Sequence, residues 1–263
     1  MPKTGKERLV LLDMHAILHR AYHALPDFQT RHGEPTGALY GLLTMLFKTI
    51  RELKPDYIFA CYDRAEETIR KQAFAGYKAK RAKTDDALIA QLERSRDLIT
   101  ALGIPIYDTA GFEADDMIGT IVEQTLRPSS GQAKNKDLEI IIATGDMDTL
   151  QLVVGKRIQV YTLKKGINDT VLYDEKAVRD RYGFAPELLT DYKGLRGDPS
   201  DNIPGVPGIG EKTATDLITN FGGLDEIYKK LKKSWEPFLK KGIKERVINL
   251  LLEHEADAYF SKE

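Results

Sequence analysis

Ile140-Ile141-Ile142-Ala143-Thr144-Gly145-Asp146-Met147-Asp148 is an apolar run that breaks off into two acids. Two other stretches share its design: Leu9-Val10-Leu11-Leu12 stops at Asp13, and Tyr57-Ile58-Phe59-Ala60-Cys61-Tyr62 stops at Asp63. Apolar runs this short read as strands buried on both faces, the mark of a parallel sheet. Ligands of an open α/β sheet bind in the crevice outside the carboxyl ends of its strands, so the pattern brings three carboxylates to one edge. Glu113, Asp115, Asp116, Asp148, Asp198 and Asp201 follow, each beside an expected strand end or helix start. Crowded carboxylates ionise together only with raised pKa values, and bound cations relieve that repulsion. The sequence therefore reads first as a magnesium site.

Working outward from the strands, residues 16–25 and 38–53 read as helices, the second because Leu42, Leu43, Leu46, Phe47 and Ile50 recur at helical spacing. A charged, apolar-poor segment, residues 64–86, leads into a helix over 87–102 that Gly103 and Pro105 end. Residues 104–107 form a candidate strand. Residues 115–125 form a candidate helix whose first turn is acidic, where the helix dipole favours negative charge. The polar stretch 128–136 reads as an exposed loop. From Pro186 the text is helical apart from a Gly/Pro-rich insertion, Asn202 to Lys212, so a boundary is expected near Gly183.

A chain of 263 residues, 42% of them hydrophobic, can bury a sizeable core. No stretch reaches the roughly 18 apolar residues of a membrane span, and the first seven residues lack a secretory apolar run, so a cytoplasmic protein without a membrane partner is expected. The single cysteine, Cys61, lies inside an apolar run and excludes an intramolecular disulfide and a Cys-rich zinc site. A net charge of −1 argues by itself against nucleic acid. The distribution argues for it: bases gather between Lys71 and Lys83, at Lys229, Lys230, Lys232 and Lys233, and at Lys240, Lys241 and Lys244, away from the acids. Solvated helix faces are the competing account of the last two clusters.

Each acidic motif taken alone has a plain structural explanation. Glu113 and Asp116 share a helix face, with Asp115 on its rim, as ligands or as an ordinary acidic helix start. Asp146 and Asp148 stand at alternate positions past a strand, as ion ligands or as a turn. Asp198 and Asp201 belong to one turn, with or without a ligand. Gly205 to Gly210 followed by Lys212-Thr213 resembles a P-loop superficially, but Glu211 intervenes and no apolar strand precedes it. Glycines between two helices can instead expose backbone N–H groups beside a helix start, a sequence-blind phosphate cradle to which Lys212 adds charge; a simple helix–helix turn is the alternative. His15, His19 and His23 fall four apart. The surrounding hard carboxylates favour magnesium or manganese over a zinc stripe there.

Leu12-Asp13, Arg20-Ala21-Tyr22-His23-Ala24-Leu25, Arg31-His32-Gly33-Glu34-Pro35-Thr36-Gly37-Ala38, Gly76-Tyr77-Lys78-Ala79-Lys80-Arg81, Glu113-Ala114-Asp115-Asp116, Thr144-Gly145-Asp146-Met147-Asp148, and the run from Gly197-Asp198-Pro199-Ser200-Asp201-Asn202 to Lys212-Thr213-Ala214 stand in this order. Together they resemble the 5′-3′ exonuclease domain at the front of bacterial DNA polymerase I, within the structure-specific flap endonucleases. The resemblance implies an α/β, PIN-like 5′ nuclease fold, with a mostly parallel sheet flanked by helices and a C-terminal helix-hairpin-helix module. It implies a nuclease core over residues 1–183, including a helical arch at about 64–90, and a DNA-binding module over 184–263, as the front piece of something longer.

The implied activity is two-metal-ion hydrolysis of DNA with a free 5′ end or flap, an RNA primer in a hybrid included, by a monomer. Asp13, Asp63, Glu113 and Asp115 would hold one Mg2+ or Mn2+ ion and Asp146, Asp148 and Asp201 another, with Asp116 and Asp198 acting through water. Potassium would sit at the hairpin. Arg20, Lys78, Arg81 and Lys193 match basic positions of the family active site; Tyr77 would stack a base beside Lys80, and Gly205, Gly208, Gly210 and Lys212 would meet the duplex. Family members commonly carry Phe where Tyr62 stands, and small polar residues where Met14-His15-Ala16 stand. The rivals are a non-catalytic module for branched DNA and a ribonuclease of a related metal-carboxylate fold.

Overall fold

The computed structural model describes residues 6–127, 138–165 and 169–263; the expected loop over 128–136 lies outside the described residues. It divides into two compact units, Met1–Ile69 with Lys83–Glu175, and Arg70–Ala82 with Lys176–Glu263. The segment expected to arch from the nuclease core is thus shared: its middle, Arg70–Ala82, packs with the helical half.

The first unit is built on one sheet of β1 (Glu7–Asp13), β2 (Tyr57–Cys61), β3 (Ile106–Tyr107), β4 (Leu138–Ala143), β5 (Ile158–Lys165) and β6 (Asp169–Tyr173), in the order β3-β2-β1-β4-β5-β6. All neighbours run parallel except β5 and β6, which form an antiparallel edge. Residues 158–165 and 169–173, for which no element is read from the sequence, supply that edge. The chain leaves β1 for β2 and β3 on one side and returns to β4 on the other, so the switch point of the sheet lies between the carboxyl ends of β1 and β4.

Helices α1 (Met14–Ala24), α2 (Gly37–Leu53), α4 (Asp86–Ala101) and α5 (Ala114–Leu126) accompany this sheet, with the short α3 (Ile69–Ala73) between α2 and α4. Alternation along the strands sends Val10 and Leu12 of β1 to one face, where they join Leu18, Leu42, Leu46, Leu88 and Ile99 in one buried cluster. Leu9 and Leu11 point the other way and are also buried, and α5 packs against β1 and β2. Burial on both faces is why these strands read as unbroken apolar runs. Gln91, inside this core, accepts from the N–H groups of Ala38 at 2.8 Å and Leu39 at 3.3 Å, satisfying the start of α2 from a neighbouring helix.

The second unit is helical: α6 (Glu175–Tyr182), α7 (Leu189–Arg196), α8 (Glu211–Phe221), α9 (Leu224–Lys233), α10 (Glu236–Lys240), α11 (Glu245–Glu253) and α12 (Glu255–Lys262). Its core holds Leu195, Leu217, Ile227, Phe238, Ile248 and Leu251. The buried Asp191 of α7 accepts from the Leu224 N–H and from the Lys262 ammonium, tying the start of α9 and the end of α12 to one carboxylate. Among the described residues no helix is long and apolar enough to cross a membrane.

Candidate functional site

Strand register sets the first three acids. Asp13 pairs with Cys61 across β1 and β2, and Leu12 with Ala143 across β1 and β4, so Asp13, Asp63 and Asp146 leave three adjacent strands at one end. Each then helps start a helix or turn. Asp13 caps α1, its carboxylate accepting from the Ala16 N–H at 3.0 Å. Asp63 accepts from the Ala114 N–H at 2.6 Å, at the first turn of α5. Asp146 accepts from the Asp148 N–H at 2.8 Å, at the start of a 3-10 turn over Met147–Leu152. Asp116 reaches back to the Glu113 N–H at 2.9 Å, while Glu113 stands just before α5 with 8% of its surface exposed. The capping role and the convergence of charge are thus properties of the same side chains.

Burial decides the electrostatics. Asp13 is 3% exposed, and burial pushes its carboxyl up from 3.8 to about 6, against the lowering hydrogen bonds from Thr144 and Ala16 and with the charges of Asp63 and Asp146 adding to the rise. Thr144 links two of the acids: its hydroxyl donates to Asp13 at 2.6 Å and accepts from the Asp146 N–H at 2.9 Å. The charge of Asp115 is felt at β2, where burial first, then Asp13 and Asp115, push the Cys61 thiol up to about 12. Native Cys61 is therefore expected to resist alkylation at pH 8 and to react only on unfolding, which a timed thiol assay with and without denaturant measures. Reaction in the native protein as fast as in denaturant would contradict the burial.

Basic groups sit at the same edge. A Cβ added at Gly145 would lie 3.1 Å from the Ala16 carbonyl and 3.5 Å from Cδ of Arg20, so the Arg20 stem passes directly beside the turn that carries Asp146. His15 holds Asp63: its Nδ1 accepts from the Asp63 N–H at 3.2 Å and lies 3.6 Å from the carboxylate. That bond leaves the proton of a neutral ring on Nε2. His19 and His23 lie ring to ring at 6.3 Å. Arg96 lies over the Tyr62 ring at 4.3 Å, donates to the Asp63 carbonyl and pairs with Asp108. The Tyr62 hydroxyl is hydrogen-bonded to that of Ser95 at 2.8 Å.

In the second unit the turn carrying Asp198 and Asp201 is held by charge. Lys193 pairs with Asp198 and Arg81 with Asp201. Burial pushes Asp198 up, but the Lys193 ammonium and the hydroxyl and N–H of Ser200 outweigh it and hold the carboxyl at about 2. Lys78, at φ 54°, donates its N–H to the Asp201 carbonyl at 2.9 Å. Lys80 is exposed. Tyr77 departs from expectation: it is 8% exposed, with the Lys78 ammonium 4.9 Å from its ring, so it packs instead of offering a free stacking face.

The hairpin glycines separate by role. Gly205 is buried against Gly197 and gives its N–H to the Ser261 hydroxyl at 3.0 Å. Gly208 and Gly210 are exposed, Gly210 stands immediately before α8, and Lys212 is exposed in the first turn of that helix. The phosphate-cradle reading therefore suits Gly208, Gly210 and Lys212, whereas Gly205 serves packing.

Hard carboxylate oxygens, one of them buried and strained by its neighbours' charge, suit a divalent cation of the magnesium type. Among the described residues no three His, Cys, Asp or Glu side chains are drawn together closely enough to enclose an ion. Asp13, Asp63, Asp116 and Asp146 each accept from a backbone N–H, which offsets part of their negative charge. Thr144, Arg96 and His15 are the supporting residues that apolar runs and acid spacing do not single out. For the first, the sequence offered only its position two residues before Asp146.

The family model described as 5′-3′ exonuclease, N-terminal resolvase-like domain, matches residues 8–183, and that described as 5′-3′ exonuclease, C-terminal SAM fold, matches residues 184–263. DNA polymerase I of Caldicellulosiruptor bescii is 40% identical over 242 residues, covering 91% of this chain and 27% of that protein. DNA polymerase I of Mycobacterium leprae is 40% identical over 224 residues, covering 84% and 24%. The chain thus spans about a quarter of the length of these relatives. The bacteriophage T5 flap endonuclease, solved with DNA and metal ions, shares the fold at a TM-score of 0.74 and 18% identity, over 97% of this chain and 88% of that one. Matched from its first β-strand to its last helix, the chain belongs to the 5′-3′ exonuclease family.

Proposed function

We propose that this chain cleaves phosphodiester bonds of DNA at or near a free 5′ end, including 5′ flaps, with divalent metal ions held by its strand-end carboxylates. The observation that carries the reading is Asp13: a buried carboxyl, forced up by burial and by two neighbouring acids, at the switch point of a parallel sheet. A group so placed is relieved by a cation. Asp13, Asp63, Glu113, Asp115, Asp146 and Asp148 would hold metal, with Asp116 supporting Glu113, and Asp198 and Asp201 complete the set that the family resemblance implies. When bound, such ions lower the pKa of a water and hold a phosphate for in-line attack.

The chain's own residues do the rest. Thr144 keeps Asp13 and Asp146 in fixed relation, and His15 and Arg96 hold Asp63 from two sides. Arg20, Lys78, Arg81 and Lys193 offset charge that grows on the phosphate. Gly208, Gly210 and Lys212 present N–H groups and a charge to a duplex backbone without reading bases, and a potassium ion would belong at this hairpin. A place within a longer polymerase is the setting that the relatives support, and removal of flaps and of RNA primers in hybrids, by a monomer, is what the family resemblance adds to it.

The test is cleavage of a labelled 5′-flap DNA with and without chelator. Chelation is expected to reduce the rate at least about a hundredfold and magnesium to restore it, while single-stranded RNA is cut poorly. Equal rates with and without metal would refute the reading. Flap binding without turnover in magnesium would favour the non-catalytic module instead.

A further inference from the structure

We propose that Asn202 is a positioning residue for the nuclease reaction: it ties the acidic turn to the segment that carries Lys78 and Arg81 and so sets where those two cations stand. The inference rests on the nuclease reading above for its functional consequence, but on geometry for the tie itself.

Residues 74–81 have little internal means of holding a position. Helix α3 ends at Ala73 and α4 begins only at Asp86. Between them the internal hydrogen bonds are single turns, Tyr77 N–H to Phe74, Ala79 N–H to Gly76 and Arg81 N–H to Lys78. Lys71 of α3 reaches the Ala75 and Tyr77 carbonyls at 2.7 and 3.2 Å, and three further ties, which include both cation-bearing positions, come from two adjacent residues. The Asn202 amide donates to the Gly76 carbonyl at 2.9 Å, the Asp201 carbonyl accepts from the Lys78 N–H at 2.9 Å, and the Asp201 carboxylate pairs with Arg81. Phe74 adds an edge-on contact with Phe260 of α12, ring centroids 5.3 Å apart.

Both partners in this tie have unusual backbones. Asn202 has φ 60° and Lys78 has φ 54°, two of the three non-glycine residues at positive φ among the described residues. Asparagine accepts that conformation readily, while lysine adopts it only where its surroundings impose it. At Asn202 the left-handed turn aims the side-chain amide at Gly76 while the preceding carbonyl faces Lys78. An asparagine supplies both the conformation and the donor; glycine supplies only the first and alanine neither.

Asn202→Gly is therefore the decisive variant, since it keeps the turn and deletes the amide. Exchange of the Lys78 amide proton is expected to quicken by about tenfold or more with the midpoint of global unfolding little changed. Flap-DNA binding in chelator should weaken by about tenfold. In a Lys78→Ala/Arg81→Ala background the same change should alter binding by less than about twofold, because the residues through which Asn202 acts are gone. Asn202→Asp, which keeps an acceptor but no donor, should resemble the glycine variant. Wild-type protection at Lys78, wild-type flap binding, or an undiminished effect in the double background would each overturn the proposal. Should the parent protein prove unable to cut flap DNA in magnesium, the nuclease reading fails while exchange at Lys78 still judges the tie.

Discussion

Replacing Asp13 by asparagine is expected to stabilise the metal-free protein at pH 8 while lowering kcat/KM for 5′-flap DNA in magnesium by roughly a thousandfold or more. The two effects have one cause. Burial, together with the charges of Asp63 and Asp146, raises the folded-state pKa of Asp13 from 3.8 to about 6. A carboxyl shifted upward contributes stability in full below its unfolded value, loses it as pH climbs through about 6, and at pH 8 is an ionised, buried cost on the order of 3 kcal/mol. Asparagine carries no charge, and its side-chain oxygen can still accept from the Ala16 N–H as an N-cap. Chemical denaturation in chelator should show the variant ahead at pH 8 and the advantage vanishing toward pH 4. Magnesium should reverse the order at pH 8, since a cation that binds the folded wild type adds stability the variant cannot gain. A variant less stable than wild type in chelator at pH 8, or one that keeps full activity, would remove Asp13 from the site.

Gly205→Ala is expected to destabilise the helical unit by more than about 4 kcal/mol, a loss reserved for severe steric conflict. Gly205 has φ 63°, and a Cβ there would stand 2.2 Å from the Gly197 nitrogen, with Gly197 itself at φ 74° and a Cβ of its own 2.6 Å from the Ile203 carbonyl. Two glycines thus let two backbones touch, and the obstacle is main chain, which cannot rotate aside. Around this contact the Val206 N–H reaches the Leu195 carbonyl, and Asp198 and Ile203 exchange backbone hydrogen bonds. Gly210→Ala is the internal control: nothing lies within 4 Å of its added Cβ and its φ is −94°. Its stability should change by about 0.5 kcal/mol or less. Denaturation of both variants, followed by helical circular dichroism, decides the matter; similar midpoints would mean that the close approach at Gly205 does not hold in solution.

Parts of this architecture were open to reading because of where the residues lie. The centres of β1 and β4 and the Ala60-Cys61 end of β2 are buried on both faces, so no polar alternation obscures these runs, and their common direction followed from the acids that end each one. The edge pair β5 and β6 was illegible for the opposite reason. β5 mixes the buried polar residues Gln159 and Thr162 with Val160 and Tyr161, and the edge strand β6, Asp169–Tyr173, is half exposed, which leaves neither an apolar run nor a clean period. Helix ends were legible to within a residue or two where a cap or glycine marked them, as at Gly103 beyond α4.

The candidate site divides in the same way. Primary structure alone determined the inventory of carboxylates, their places at strand ends and helix starts, and the glycine hairpin, because those features depend on local periodicity and turn chemistry. Folding decided everything that depends on distance between remote segments. It buried Asp13 and put Thr144 between two acids, turned Tyr77 inward, divided the hairpin glycines into one that packs and two that face outward, and brought Asn202 to Gly76. Such pairings arise from packing between residues up to 131 positions apart, as in the bond from Thr144 to Asp13, and no local pattern encodes which buried atoms will meet.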